Sequence, residues 1–444
     1  MECRHPSLTG WLIARINQPM EKSDWYKTRR YLHFDRPVAE RTAKAYVTNP
    51  DRVCAHSFYP FIRNTAVTVK TSYIPRYKMF QPVSKNRDIS YAAHMDSHIY
   101  AYYSSVLNHA YEKKLAEHGL DTSVLAFRSL NGKSNIHHAH AAFEDIKSRD
   151  ECSVLCFDIE KFFDRLDHRL VKESWEKLLD LKSLPPDHYA VYKAITKYSW
   201  VGKMSVFEAL GVSIHHPSVK NNRLCEPEQF REDIRGNKLI CSNSGKIGIP
   251  QGSPISALIS NFYMLEFDRA VLSYLSSTES VYYRYCDDIM VICPIEKEAE
   301  AREFVESEIK KLSLDLQHKK TDVRQFTRDF KGELSADRPI QYLGFMFDGV
   351  RTFIRPASLT RYYRKMKVKV RLAKKSRDRI NIIRRTRGDD DRKLFLKAIY
   401  NGYTHLGRRN FITYGYRAAK IMNSKTIRQQ LRSHWRKIQA EIKD

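Results

Sequence analysis

The sequence contains no run of eighteen apolar residues, and residues 1–25 include no long apolar stretch. A membrane-spanning helix needs about 20 such residues and a secretory signal needs a shorter apolar core, so neither is expected. The eight cysteines form no Cys-x-x-Cys pair, and none lies beyond Cys293. This spacing predicts neither a disulfide framework nor a zinc module. We therefore expect a soluble, cytoplasmic protein with reduced thiols and no membrane partner.

Acidic residues are scarce toward the C-terminus. Residues 351–444 contain 28 Lys and Arg but only 6 Asp and Glu, and the whole sequence has a formal net charge of +26. An excess this large predicts a polyanionic partner, and nucleic acid is the first candidate. We expect a phosphate backbone to lie against this basic C-terminal region.

Two long segments show little periodicity. Residues 1–82 are rich in Tyr, Arg and Pro, which predicts an irregular N-terminal extension leading into a first hairpin. Residues 181–246 are polar and contain four prolines, which predicts an insertion that is partly helical and partly loop. With 444 residues and 42% hydrophobic content, the chain is long enough for two or three packed units.

Carboxylates follow or separate short apolar runs at two places. Ser153–Asp158 is a strand-like run that ends in an acid, and a helical pattern follows it from Glu160 to Leu179. Farther along, Val281–Tyr285 and Ile289–Cys293 are two strand-like runs joined by Cys-Asp-Asp. The sequence therefore predicts a hairpin whose tip carries two adjacent carboxylates.

Three such carboxylates suit phosphoryl transfer from a triphosphate, because that reaction depends mainly on positioning and on two magnesium ions held by oxygen ligands. For the three carboxylates to hold the same ions, Asp158 must lie beside the hairpin that carries Asp287 and Asp288. The alternative interpretation is structural: a lone Asp after an apolar run is often a helix cap, and an Asp-Asp pair is often a turn.

Other motifs lie around these acids in a fixed order. Gly248-Ile-Pro-Gln-Gly-Ser-Pro254 is a loop rich in helix breakers, and a helical stripe follows it. Together with the acids, these motifs resemble the reverse transcriptase family over residues 85–349. The matching segments are Phe157–His168 for the first metal ligand, Gly248–Ser256 for the loop under the nucleotide, Tyr285-Cys-Asp-Asp288 for the Tyr-x-Asp-Asp box, and Lys320-Thr321 and Gln341–Phe345 for the two later motifs.

The resemblance implies an α+β, right-hand polymerase fold. Fingers and the start of the palm would occupy residues 83–157, and the palm residues 158–349. A basic helical thumb would follow at 350–444, with helices near 359–385, 392–406 and 414–442. The thumb would follow the primer–template backbone.

Residue roles carry over by position. Asp158, Asp287 and Asp288 would be the catalytic residues and the ligands of two Mg²⁺ ions, and Gly344 would belong to the primer grip. Phe163 would crowd a ribose 2′-OH and so favour deoxynucleotides, although it is also a plausible core aromatic. The remaining nucleotide contacts would be Lys85, Arg87, Gln251 and Gly252. Without the family context, Lys85 and Arg87 would be ordinary solvated cations.

The expected activity is RNA-directed DNA synthesis from deoxynucleotides, with an RNA template and a DNA product. The sequence lacks the retron signatures Asn-Ala-x-x-His and Val-Thr-Gly, and no paired cysteines follow Cys293. It looks more like the bacterial reverse transcriptases associated with phage defence, which work with a dedicated non-coding RNA. A group II intron maturase-type enzyme, a non-catalytic RNA-binding protein with a polymerase fold, and an RNA-dependent RNA polymerase are the alternatives; Phe163 argues against the last.

Overall fold

A computed structural model of the protein describes residues 24–74, 79–215, 217, 219 and 222–443. The chain forms two compact units. Unit 1 comprises Met1–Phe127, Ile159–Leu272 and Glu306–Leu316, and unit 2 comprises Arg128–Asp158, Ser273–Val305 and Gln317–Asp444. Residues 1–23 of the predicted N-terminal extension lie outside the described residues. Within the described part, none of the helices has the length and hydropathy required to span a bilayer.

The fold is mixed α+β. Its strands are β1 (Phe61–Ile74), β2 (Met79–Tyr91), β3 (Glu151–Asp158), β4 (Ser199–Gly202), β5 (Cys241–Ser242), β6 (Val281–Tyr285), β7 (Asp288–Cys293), β8 (Asp322–Arg328), β9 (Leu334–Ser335), β10 (Ile340–Tyr342), β11 (Phe345–Phe347) and β12 (Thr352–Ile354). They form three sheets with the orders β2-β1-β4-β5 in unit 1 and β6-β7-β3-β8-β9 and β10-β11-β12 in unit 2.

The helices are α1 (Glu40–Val47), α2 (Pro50–Cys54), α3 (His94–Glu117), α4 (Asn135–Lys147), α5 (Phe162–Arg165), α6 (His168–Leu178), α7 (Pro186–Thr196), α8 (Lys203–Ala209), α9 (Pro227–Gln229), α10 (Ser256–Tyr263), α11 (Leu265–Leu275), α12 (Glu298–Lys311), α13 (Pro356–Thr386), α14 (Lys397–Tyr403), α15 (Phe411–Ile421), α16 (Lys425–Arg432) and α17 (His434–Lys443). A π-helical segment, Phe230–Gly236, continues from α9. A single turn of 3₁₀-helix, His318–Lys320, precedes β8.

The sheet of unit 1 is built on the long β1–β2 hairpin. Thirteen residue pairs join the two strands, from Ile62↔Tyr91 to Ile74↔Met79. The predicted boundary after residue 82 falls inside β2, where it would separate residues that are paired across the hairpin. β4 pairs in parallel with the start of β1, and β5 pairs with β4. The segment predicted as an insertion, residues 181–246, therefore supplies two strands to this sheet.

The central sheet of unit 2 places β3 between β7 and β8. Both faces of β3 are largely buried, which explains why its sequence is a continuous apolar run rather than an alternating one. Val154 of β3 packs in one core with Phe143 of α4, Phe326 of β8 and Phe347 of β11. This core fixes the position of β3 and hence of the residue at its C-terminal end.

The basic C-terminal region is helical, as predicted. Pro356 begins α13 at a position where the missing N–H costs no hydrogen bond. The third predicted segment, near 414–442, is divided into α15, α16 and α17. The Ser424 side chain accepts a hydrogen bond from the Ile427 backbone N–H and so begins α16 as a separate helix. Met366, Val370, Ile399 and Ile438 form the small core of this region.

Candidate active site

Strand pairing brings the first predicted acid to the hairpin that carries the other two. β3 and β7 are antiparallel, and Asp158 lies directly opposite Asp288 in their register. Side chains at opposite positions of an antiparallel pair have Cβ atoms about 5 Å apart. β6 and β7 are joined by a tight turn in which Cys286 has a left-handed φ of 63°. Asp287 follows it, so all three carboxylates lie at one end of the sheet.

Negative charge is concentrated at this end of the sheet. Burial, together with the neighbouring Asp287 and Asp158 charges, raises the pKa of the Asp288 carboxyl to about 7. The Lys320 charge lowers the pKa of the same carboxyl. Its Nζ donates a hydrogen bond to Asp158 Oδ2 at 2.5 Å. The site is therefore an acidic cluster with one lysine as its counter-ion.

The donor set fits a hard divalent cation. Three carboxylates supply only oxygen ligands, which Mg²⁺ prefers, and a cation would relieve the mutual repulsion that raises the pKa of Asp288. Within the described ranges, no three Asp, Glu, His or Cys side chains already surround a common point. Asp158 is instead turned to Lys320, so its carboxylate would have to leave that lysine to join Asp287 and Asp288.

Two basic residues support the acidic cluster in ways that the sequence did not reveal. Lys320 was noted only as part of a motif, and its contact with Asp158 spans 162 residues of sequence. Arg284 is fully buried in β6 and donates from Nη1 to the Cys286 carbonyl oxygen at 3.3 Å. Arg284 could have been noticed in the sequence because it is a charged residue inside an apolar strand. A guanidinium that is buried in this way requires hydrogen-bond partners.

The loop before α10 is held in place by backbone contacts within unit 1. Ser90 N–H of β2 donates to the Gln251 carbonyl oxygen at 2.7 Å. Gly252 has a φ of 106°, and a Cβ at this position would lie 2.6 Å from the Ser90 carbonyl oxygen. Only glycine satisfies both conditions. On the other side, Ile249 N–H donates to the Phe163 carbonyl oxygen at 2.9 Å. The predicted nucleotide-binding loop is thus joined to both β2 and α5.

Lys85 and Arg87 lie on one face of the β1–β2 hairpin. In the register they pair with Thr68 and Ala66, and residues two apart in a strand project to the same side. Both side chains are exposed. Ile89 shares this face, and its Cγ2 atom would be 3.1 Å from a Cβ at Gly252. The basic face of the hairpin therefore continues to the loop that contains Gln251 and Gly252.

Phe163 and Gly344 lie at short, sharply bent segments. Phe163 is in α5, is half-buried and contacts the buried Phe162 ring at 5.7 Å. Leu343 and Gly344 have φ values of 46° and 92° and form the two-residue turn between β10 and β11. Asn135 Nδ2 of α4 donates to the Leu343 carbonyl oxygen at 3.1 Å. Unit 2 therefore holds the turn containing Gly344 against α4.

Comparison with known proteins identifies the family. The family model described as reverse transcriptase (RNA-dependent DNA polymerase) matches residues 97–347, which is more than half of the chain. That range contains Asp158, Asp287, Asp288 and Gly344 and begins after Lys85 and Arg87. No curated protein is similar enough in sequence to count as a match.

The solved structures to which the chain is similar include telomerases from two Candida species. Apo telomerase from Candida tropicalis, truncated from its C-terminal domain, is 11% identical with a TM-score of 0.40, covering 65% of this chain and 57% of that one. Telomerase from Candida albicans in complex with a TWJ fragment of telomeric RNA is 12% identical with a TM-score of 0.39, covering 91% and 66%. The chain therefore spans less than two thirds of the length of either. By the match of its family model, the protein belongs to the reverse transcriptase (RNA-dependent DNA polymerase) family.

Proposed function

We propose that the protein is an RNA-directed DNA polymerase that copies an RNA template with deoxynucleotides, and that Asp158, Asp287 and Asp288 are its catalytic residues and would hold two Mg²⁺ ions. The observation that carries this proposal is the direct pairing of Asp158 with Asp288 across β3 and β7. Reverse transcriptases use divalent metal ions, and the raised pKa of Asp288 reflects its burial and, after that, repulsion by Asp287 and Asp158, which such ions would relieve. When bound, the ions would neutralise developing charge on the attacking and leaving oxygens.

Lys320 is the counter-ion of the carboxylate cluster. Its hydrogen bond to Asp158 neutralises one of three neighbouring negative charges. The Lys320 side chain is 48% exposed, so it is able to move away when the Asp158 carboxylate turns toward an ion. We assign Lys320 the role of keeping the cluster folded until the ions and the nucleotide arrive.

The residues of unit 1 supply the nucleotide site in this proposal. Lys85 and Arg87 would neutralise the triphosphate, because exposed cations on one strand face are suited to phosphate oxygens. Gln251 and Gly252 would contact the nucleotide through a loop that is fixed to β2. Phe163 would exclude the ribose 2′-OH, and its half-buried ring leaves part of its surface available for that contact.

These proposed roles suggest a division of the chain into fingers, palm and thumb. We propose that the β1–β2 hairpin belongs to the fingers, the central sheet to the palm, and α13–α17 to the thumb. Gly344 would form the primer grip in the turn between β10 and β11. The thumb assignment rests on the charge of residues 351–444, where 28 Lys and Arg oppose 6 Asp and Glu. Such a surface favours a phosphate backbone and predicts strongly salt-dependent binding.

Primer extension with Asp287→Ala tests the metal site. We expect DNA synthesis on an RNA template to fall at least about a hundredfold, because one oxygen donor to the ions is lost. Asp150→Ala is the matched control, since that carboxylate is 98% exposed and lies just before β3. Comparable synthesis by Asp287→Ala and the parent would refute the assignment.

We further propose that the template is a dedicated non-coding RNA and that the enzyme serves in antiviral defence. The support is the resemblance of its motifs and of its compact build to the defence-associated reverse transcriptases, together with an insertion that adds β4 and β5 to the hairpin sheet. Sequencing the RNA that co-purifies with the protein, and the DNA made in the cell, tests this proposal. One abundant non-coding RNA is the expected result, whereas intron RNA would favour the maturase-type alternative.

A further inference from the structure

The last fifty or so residues combine positive charge with exposed aromatic rings. Between Asp391 and Glu441 the sequence contains twelve Lys and Arg and no acidic residue. These residues build α14 to α17 and the segments between them. A surface with cations and no anions attracts a polyanion.

Four aromatic side chains in this region form a continuous cluster, which we call the aromatic patch: His405, Tyr416, His434 and Trp435. The His405 ring lies 5.4 Å from the Trp435 ring and 5.3 Å from the His434 ring, and the Tyr416 ring lies 6.0 Å from His434. His434 is buried at the centre, and its Nε2 is 3.0 Å from His405 Nδ1. The rings are therefore held in place by one another.

The patch is open to solvent around its buried centre. Tyr416 and Trp435 are each 37% exposed, and Leu406, next to His405, is 58% exposed. Trp435 also packs against Tyr400 of α14, with ring centroids 5.4 Å apart, which limits its rotation. Single exposed apolar side chains are common, but several fixed rings beside one another are characteristic of a binding surface.

Basic residues are frequent next to the rings of the patch. Exposed cations lie close to the rings in sequence, namely Arg408, Arg409, Lys420, Arg432, Arg436 and Lys437. Lys437 Nζ lies 4.2 Å above the Tyr363 ring, so its charge is held at the surface. Fixed aromatic rings among cations are the combination that binds single-stranded nucleic acid, because bases stack on rings while phosphates contact the cations.

The patch lies on the side of α15 opposite to the primer-grip turn. Tyr414 of α15 accepts a hydrogen bond from Asn135 Nδ2, which also holds the Leu343 carbonyl oxygen, and its ring lies 6.2 Å from Phe345. Tyr416 is two residues farther along the helix and therefore points about 200° away from Tyr414. Tyr416 contacts His434 instead.

We propose that the aromatic patch binds unpaired nucleotides of RNA at a site separate from the primer–template. The ligand is recognised by stacking of bases on Trp435 and Tyr416 and by phosphate contacts with the neighbouring basic residues. Its position on the far side of α15 from the β10–β11 turn leaves the primer-grip side free. An RNA bound there remains attached to the enzyme while another segment is copied.

Fluorescence anisotropy of the full-length protein with a labelled oligouridine of twelve nucleotides tests the proposal. The parent is expected to bind the oligonucleotide in the presence of saturating unlabelled RNA–DNA primer–template. The double variant Tyr416→Leu/Trp435→Leu keeps both side chains apolar but removes the stacking surfaces, and we expect its affinity to fall about tenfold or more. Phe330→Leu is the control, because Phe330 is a 94% exposed aromatic beside Lys331 in the loop between β8 and β9.

Three results would overturn the inference. One is an unchanged affinity of the double variant for oligouridine. Another is complete displacement of oligouridine by the primer–template from the parent, because the two would then share one site. The third is an equal loss of oligouridine and primer–template binding in the double variant. That result would mean that the rings belong to the primer–template site or are needed for folding. Retained primer extension on a short template, with selective loss of oligouridine binding, is the result that supports a separate site.

Discussion

Two hairpins carry the residues proposed for catalysis, and they differ in burial. The β6–β7 hairpin lies in a five-stranded sheet, and β7 is buried from Ile289 to Cys293. The β1–β2 hairpin is exposed along residues 82–89, where Lys85 and Arg87 lie. A sheet buried on both faces fixes carboxylates at a constant spacing, whereas an exposed two-stranded ribbon is able to adjust to a ligand. The residues proposed to bind the metal ions and those proposed to bind the triphosphate are thus placed on structures of different rigidity.

The largest effect is expected at the buried hairpin. Asp288→Asn should reduce DNA synthesis at least about a hundredfold, because an amide is a poor substitute for a charged metal ligand. Without metal, the free energy of unfolding should stay the same or rise, because the substitution removes repulsion from Asp287 and Asp158. Primer extension and chemical denaturation in EDTA measure the two quantities.

Asp150→Asn serves as the control for this variant, because Asp150 is 98% exposed at the edge of β3. If Asp288→Asn retained activity, or lost more than about 2 kcal/mol of stability, its carboxylate would be structural rather than catalytic.

The next largest effect is a loss of stability expected at Gly252, where the loop before α10 contacts β2 of the exposed hairpin. Gly252→Ala should cost about 3 kcal/mol of stability, because its φ is 106° and the added Cβ would lie 2.6 Å from the Ser90 carbonyl oxygen. Gly344→Ala is a matched control with a φ of 92° and no atom within 4 Å of the added Cβ. It should cost only about 1 kcal/mol. Denaturation midpoints distinguish the two, and equal losses would mean that the contact with Ser90 is unimportant.

A third test concerns a buried histidine that packs against the end of β2 in the exposed hairpin. His33 is fully buried and lies 5.8 Å from the Tyr91 ring at the end of β2. Burial, together with the nearby His94, lowers the pKa of His33 to about 3. In the unfolded chain the pKa is about 6.5, so between these values the unfolded state binds more protons. Stability is therefore full above about pH 6.5 and is lost as the pH falls toward 3.

At pH 5, protonation of His33 in the unfolded chain lowers the free energy of unfolding by at most about 2 kcal/mol. This is about 1.4 kcal/mol for each of the roughly 1.5 pH units below 6.5. His33→Leu cannot be protonated and should flatten the dependence of the unfolding free energy on pH between 7 and 5. Urea denaturation at several pH values measures the slope. A slope identical to that of the parent would show that His33 does not control acid stability.

The sequence predicted those parts of the site that depend on local pattern. The apolar run before Asp158 and the two strands around Asp287 both follow from hydrophobic patterns over short distances. The predicted helix from Glu160 to Leu179 is instead divided into α5 and α6. Asp167 begins α6 by accepting a hydrogen bond from the Leu170 N–H. A capping residue inside an apolar pattern is easily missed.

Contacts between distant residues could not be predicted from the sequence. The parallel pairing of β4 with β1 involves three residue pairs, such as Phe61↔Trp200, which are too few to leave a periodic signal. The same holds for Lys320 and Asp158, which meet only because β3 pairs with β8 and a 3₁₀ turn precedes β8. Family resemblance indicated that both residues matter, but only the structure shows that one is the counter-ion of the other.

The smallest effect is expected on the exposed hairpin itself. Lys85→Ala and Arg87→Ala should each raise the KM for deoxynucleotides about tenfold, because each removes one charge-assisted contact with the triphosphate. Stability should not change, since both side chains are exposed. Asn86→Ala is the control, because Asn86 lies between them and projects from the opposite face of β2. Steady-state primer extension at varied nucleotide concentration measures KM. Should Asn86→Ala raise KM as much as its neighbours do, the effect would come from the whole ribbon and not from its basic face.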